Sequence, residues 1–245
     1  MMARSSQRRA VTWAVLGAVV LTAGVIAILI TSIGSEANPN GAASPSQPAG
    51  ATKSTSPSPS PRSTVVDASV VESGWVPEPV TRDADAYARA ALSAAGTFDT
   101  QKSTYEDWIT YLGSWFTPDT RYSSETDRQT ELEAAKLELR QSVVLPEDDW
   151  ISLDGERGRV SSAVAGEVQF VPAPQDTSGD MTIGTADVTV TYTRSDGGSG
   201  EVTYDESARL SVQVLCGPDT VPAPSSSQRR GDCKVVRFLA EPVEP

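Results

Sequence analysis

The chain has no histidine among its 245 residues. That absence removes the Ser-His-Asp and Cys-His arrangements that activate a nucleophile, and with them the usual ligand sets for zinc. Cysteine is nearly absent, with Cys216 and Cys233 the only two. Catalytic signatures are missing as well. GGSGE at Gly197–Glu201 approaches a G-x-S-x-G elbow but reads as a turn. No S-x-x-K pattern occurs, and no glycine-rich phosphate loop ends in Lys-Ser/Thr. We therefore expect no catalytic residue, no metal ligand, no cofactor-binding residue and no cofactor.

Basic charge is also in short supply. From Thr64 onward there are fifteen Lys/Arg against thirty-one Asp/Glu, a net charge of −16. A balance this acidic argues against nucleic acid or anionic lipid as a partner met through a basic patch. Solubility alone is the simpler reason for it. Arginine outnumbers lysine sixteen to four, and Ala, Gly, Pro and Asp are abundant, which resembles the coding bias of a high-GC bacterium.

Charge is missing in a second way near the start. MMARSSQRRA, residues 1–10, carries Arg4, Arg8 and Arg9 and no acid; Val11–Ile33 then runs for twenty-three residues without a charge. At about 1.5 Å per residue such a run forms a helix of roughly 34 Å, enough to cross a hydrocarbon core of about 30 Å. The flanking arginines predict a cytoplasmic N-terminus, with everything after Ile33 outside the cell membrane. A cleaved signal peptide is the alternative. Its apolar region usually spans about 7–15 residues before a small-residue cleavage site, whereas this run is longer and GSEANPNG is a poor match to such a site. Both readings export the remainder. Residues 34–63 are rich in Pro, Ser, Gly and Ala and contain almost nothing to bury, which predicts a disordered, polyproline-like spacer. Residues 64–245 are long enough for one ordinary domain. In an exported domain, an isolated cysteine pair predicts the disulfide Cys216–Cys233, closing a polar Pro/Ser-rich loop between two strands.

Helical spacing dominates the first half of that domain. DADAYARAALSAAGTF places Ala84, Tyr87, Ala88, Ala91, Leu92 and Ala95 on one face behind Asp83 and Asp85. Six of the fifteen aromatic residues fall in YEDWITYLGSWFTPDTRY, Tyr105–Tyr122. There Trp108, Tyr111, Leu112, Trp115 and Phe116 form one helical stripe that ends before Pro118. A third helix is predicted from about Thr126 to Gln141, with Leu132, Ala135, the stem of Lys136, Leu139 and Val143 inward. After Val143 the period changes to two. SVVLPEDDWISLDG reads as a short strand broken at Pro146. RVSSAVAGEVQFVPA follows, then a long hairpin turning at Asp196–Gly200, then a last strand from Cys233 to Ala240. Three helices followed by four or five antiparallel strands predict an α+β domain with helices on one face of a curved sheet.

An aromatic stripe at helical spacing is expected to be core. Tyr105, Trp108, Tyr111, Trp115 and Tyr122 are nevertheless the candidates to line any pocket beneath the sheet. Asp99, beside Phe98 and these tyrosines, would serve an isomerase-like site if it entered an apolar pocket. Its simpler reading is a turn cap. Glu147, Asp148 and Asp149, with Asp154 and Glu156 behind them, lack the alternating spacing of a calcium loop and read as solvated. Asp176 and Asp180 read as parts of a polar loop.

The chain resembles the nuclear transport factor two-like superfamily in its membrane-anchored form. The resemblance is carried by YARAALSAAGTFDT, by the aromatic helix and by TVTYTRSDGGSGEVTYDESARLSVQVL, set behind a basic N-terminus, one apolar run and a Pro/Ser spacer. It is similar to TcpC-like subunits of Gram-positive conjugation (type IV secretion) machines and to Mce-associated membrane proteins. The resemblance implies a cone-shaped exported domain and a non-enzymatic assembly or scaffold role in an envelope complex. Its implied partners are other membrane or envelope proteins or copies of itself. The alternative is a module binding a lipid or small apolar ligand for envelope transport. The superfamily also holds enzymes, so membership by itself fixes no activity.

Overall fold

The structure, a computed structural model, describes residues 63–244. The expected membrane helix Val11–Ile33, and the expected spacer up to residue 62, lie outside the described residues. Among the described residues no helix is long and apolar enough to cross a membrane.

The segment before the first helix runs out and back along the domain. The Val66 amide donates to the Glu78 carbonyl at 2.8 Å and the Val80 amide to the Thr64 carbonyl at 2.8 Å. A 3₁₀ turn, Ser69–Ser73, lies between them and ends at Gly74, whose φ is +80°. Helix α1, Ala84–Ala94, starts where the Asp83 carboxylate accepts from the amides of Asp85 and Ala86, satisfying donors that the helix leaves free. It buries Tyr87, Ala88, Ala91, Leu92 and Ala94. The alanines let the helix lie close to the sheet. Gly96 continues that close approach, since a Cβ there would sit 2.8 Å from the Ser162 hydroxyl.

Helix α2, Tyr105–Gly113, is capped by the Thr104 hydroxyl. It ends earlier than the aromatic stripe predicts. Trp115 and Phe116 follow it on a tightened turn, with the Trp115 amide donating to the Leu112 carbonyl at 3.1 Å. Both rings stay buried because Phe116 bridges to Val235 of the sheet. Helix α3, Glu125–Glu138, continues into a π turn at Leu139–Val143. Ala135 and Leu139 point inward as expected, while Leu137 is 52% exposed.

Helix α4, Glu147–Gly155, corrects the expected strand broken at Pro146. Pro146 forms the N-cap, and Glu147, Asp148 and Asp149 occupy the first turn, where the helix dipole favours negative charge. Trp150 and Leu153, three apart, are the residues buried. The domain thus carries four α-helices, not about three.

The sheet is a simple meander of antiparallel neighbours: β1 (Phe98–Asp99), β2 (Arg159–Pro172), β3 (Met181–Ser195), β4 (Glu201–Leu215) and β5 (Lys234–Leu239), in that order. A bulge between Ala165 and Gln169 shifts the β2–β3 register, and such bulges bend a sheet. The predicted turn at Asp196–Gly200 joins β3 to β4. The Asp196 carboxylate there accepts from the amides of Gly198 and Gly200 at 2.8 and 3.1 Å. One face of the sheet packs on the helices through Val160, Ala186, Val188, Val212, Val214, Val235 and Phe238. A smaller cluster, Ala173, Met181, Ile183, Leu215 and Val236, is covered by Val243 of the C-terminal tail.

The disulfide Cys216–Cys233 is present and joins the end of β4 to the start of β5. Helices on one face of a curled antiparallel sheet are the architecture the residue periods predict.

Candidate functional site

Three features could carry function: the interior beneath the sheet, a groove on the outer helices and a buried polar cluster. The aromatic stripe fills most of the interior. Trp150 stacks on Phe98 at 4.3 Å and on Trp108 at 5.4 Å between ring centres, and Tyr105 meets Trp150 edge-on at 5.7 Å. Tyr111 stacks on Trp75 at 4.8 Å and meets Trp115 edge-on at 6.0 Å. Trp115 in turn lies 5.9 Å from Tyr87. Tyr105 and Trp108 therefore belong to one set of touching rings, with Phe98 and Trp150, and Tyr111 and Trp115 to a second, with Trp75 and Tyr87. Tyr122 stands apart, half-buried, with its carbonyl accepting from the Arg128 guanidinium at 2.7 Å.

A cavity of about 190 Å³ remains between the π turn and the sheet, walled by Phe98, Val144, Leu145, Val160, Val188 and Leu210 among others. None of the five candidate aromatic residues lines it, and no carboxylate does. Asp99 caps the turn before α2, accepting from the Gln101 amide at 3.0 Å, with the Lys102 ammonium at 3.5 Å. Glu147, Asp148 and Asp149 are exposed on α4. Asp176 accepts from the amides of Ser178, Gly179 and Met181 and from the Ser178 hydroxyl. Slight burial pushes its carboxyl up, but these hydrogen bonds outweigh that and hold it below the usual range. Among the described residues no group of three or more His, Cys, Asp or Glu could hold a metal ion.

The groove lies between α2 and α3 and measures about 700 Å³. Its apolar lining is Ile109, Gly113, Leu137 and Leu139, and its rim carries Glu106, Glu133, Lys136 and Arg140. The rim charges pair with one another, Arg140 with Glu106 at 3.1 Å and Lys136 with Glu133 at 3.3 Å.

The polar cluster was not legible in the sequence. Glu78 and Lys234 each have side chains only 1% exposed, with the ammonium 2.8 Å from Oε1. The same Oε1 accepts from the Tyr87 hydroxyl at 2.6 Å and from the Gln228 amide at 2.9 Å. Oε2 is buried and finds no partner among the described residues. Lys234 also donates to the Ser114 carbonyl at 3.0 Å. Burial pushes the Lys234 amine below its ordinary pKa, against the opposing charge of Glu78. Burial, followed by the charge of Glu78, pushes the Tyr87 phenol well up. The only hint in the sequence was a rare lysine immediately after a cysteine, at the head of an apolar strand.

No protein-family model matches the chain, and no curated protein does. Solved structures of related shape are an IcmL-like type IV secretion system protein from Legionella pneumophila, CagV, a VirB8 homolog from the Helicobacter pylori type IV secretion system, and a periplasmic fragment of TraM. The first is 13% identical over 64% of this chain and 88% of its own, with a TM-score of 0.34. CagV is 14% identical over 63% and 92%, at 0.35, and the TraM fragment 14% over 62% and 89%, at 0.32.

Proposed function

We propose that the protein is a non-enzymatic, single-pass membrane protein and an assembly subunit of a cell-envelope complex, the complex being a conjugative (type IV) transfer machine. Its N-terminus lies in the cytoplasm, residues 11–33 cross the membrane, and residues 34–63 hold the domain at a distance on the outside. The observation that carries the reading is where the concave surface lies. The larger hollow is on the outside, between α2 and α3, with an apolar lining and a charged rim, while aromatic rings fill most of the interior where a substrate would sit. An apolar centre ringed by charge is the composition of a protein contact.

The test uses full-length protein solubilised from its own membranes. Wild type is expected to co-purify with other subunits of one envelope machine, and Leu137→Glu to lose them without a change in melting temperature. Wild type recovered free of protein partners would refute the proposal.

A second reading is favoured by the cavity of about 190 Å³: binding of a small apolar ligand. It falls below the roughly 300 Å³ at which pockets for drug-sized ligands begin. Native mass spectrometry would show a ligand-sized mass increment on this reading and the bare protein on the first.

A further inference from the structure

The buried cluster contains the parts of a bond-forming reaction. An amine and a carboxamide meet at one carboxylate oxygen: Lys234 Nζ lies 2.8 Å and Gln228 Nε2 2.9 Å from Glu78 Oε1. The carbonyl oxygen of the same carboxamide accepts from the Ala223 backbone amide at 2.8 Å, a donor that would stabilise negative charge developing on that oxygen. The second carboxylate oxygen is free of other partners, open to carry a proton. Tyr87 and Trp115 stand beside the cluster, and all three reacting side chains are buried. An ion pair alone would explain Lys234 and Glu78. It does not explain why Gln228 is fixed at both ends of its amide against that pair.

We propose that Lys234 and Gln228 become joined side chain to side chain by an amide bond, with Glu78 as the proton carrier. Glu78 takes a proton from the ammonium, leaving a neutral amine. The Nζ lone pair attacks Cδ of Gln228, and the electrons displaced onto Oε1 are held by the Ala223 amide. Glu78 hands its proton to Nε2 and takes one of the two still on Nζ, the other staying as the N–H of the new amide. The Cδ–Nε2 bond breaks as the Nζ–Cδ amide forms, and Glu78 passes the second proton to the departing ammonia. The leaving group is ammonia, which departs with the proton the lysine began with. One amide replaces another, nothing is oxidised, and no co-reactant is needed. Burial favours the neutral amine, and fixed proximity replaces an unfavourable encounter. The product fastens the loop between β4 and β5 by a second covalent link, one that reductant does not open. This inference is independent of the proposed assembly role.

The test is the intact mass of full-length protein, unfolded and with its disulfide reduced. We expect a mass lighter than the sequence by one ammonia. Trypsin should then leave a branched peptide in which Gly231–Arg237, uncut after Lys234, is joined to the fragment ending at Arg229. Glu78→Gln and Lys234→Arg should show the full mass, whereas Tyr87→Phe, which takes no part in the steps, should retain the loss. Because the wild-type mass is decisive alone, a variant that fails to fold does not rescue the idea. Full sequence mass in the wild type overturns it. So does loss of water with Lys234 joined to Glu78, or loss of ammonia located at any other residue.

Discussion

At the residue scale, Glu78 organises more of the molecule than any residue the sequence singled out. Three buried donors, from Tyr87, Gln228 and Lys234, converge on one of its oxygens. Removing the carboxylate strands all three, whether the lysine nitrogen is an amine or an amide. Glu78→Leu is therefore expected to cost about 3–5 kcal/mol, the scale of a broken buried polar network, as measured by urea unfolding. A cost under about 1 kcal/mol would mean that water reaches these groups. The tyrosines give a second expectation. Tyr87 and Tyr111 are both pushed up, chiefly by burial, so the folded protein keeps protons that the unfolded chain releases near pH 10. Their contribution to stability is present below that pH and is lost as pH rises through it. Lys234, where its amine is free, works oppositely: its lowered pKa adds stability with rising pH only until the unfolded lysine itself titrates, near pH 10.4. Above that point the tyrosines decide, and the urea midpoint should fall. Tyr111→Phe should reduce the fall.

At the scale of elements, legibility followed periodicity. The helix over Ala84–Ala94 could be read because small and apolar residues recur every three to four positions behind an acidic cap. The β3–β4 hairpin could be read because alternation and a glycine turn agree. The segment before α4 could not. Trp150, Ile151 and Leu153 fit a strand as well as a helix, and what decided was Pro146 followed by three acids at a helix start, together with the Phe98 ring waiting for Trp150. The polar cluster was hidden for a different reason. Glu78 sits in an extended stretch without periodicity, and its partners Gln228 and Lys234 lie 150 and 156 residues away. The disulfide, by contrast, followed from composition alone. The α4 correction has a sharp test, because a helix separates Ile151 from Leu153 while a strand puts both on one face. Leu153→Ala should cost about 2–3 kcal/mol and Ile151→Ala, at a position 61% exposed, within about 0.5. Equal costs in urea unfolding would restore the strand.

At the scale of the whole molecule, the proposed role rests on a charged start, an uncharged run, a Pro/Ser spacer and an acidic domain, in that order along the sequence. Aromatic rings fill most of the domain's interior, leaving a cavity of about 190 Å³, and the larger hollow lies on the outer helices. Both features suit contact with proteins better than turnover of a substrate. Lysine scarcity makes that claim unusually easy to check. Of the four lysines, Lys53 precedes the domain, Lys234 is buried, Lys102 lies before α2, and Lys136 stands on the rim of the groove. The most direct measurement is amine-reactive cross-linking of the full-length protein in intact membranes, with the joined peptides identified by mass spectrometry. The account predicts cross-links from Lys136 to other subunits of one envelope machine, lost in Leu137→Glu. Cross-links confined to the chain itself, or a protein recovered only with bound lipid, would contradict it.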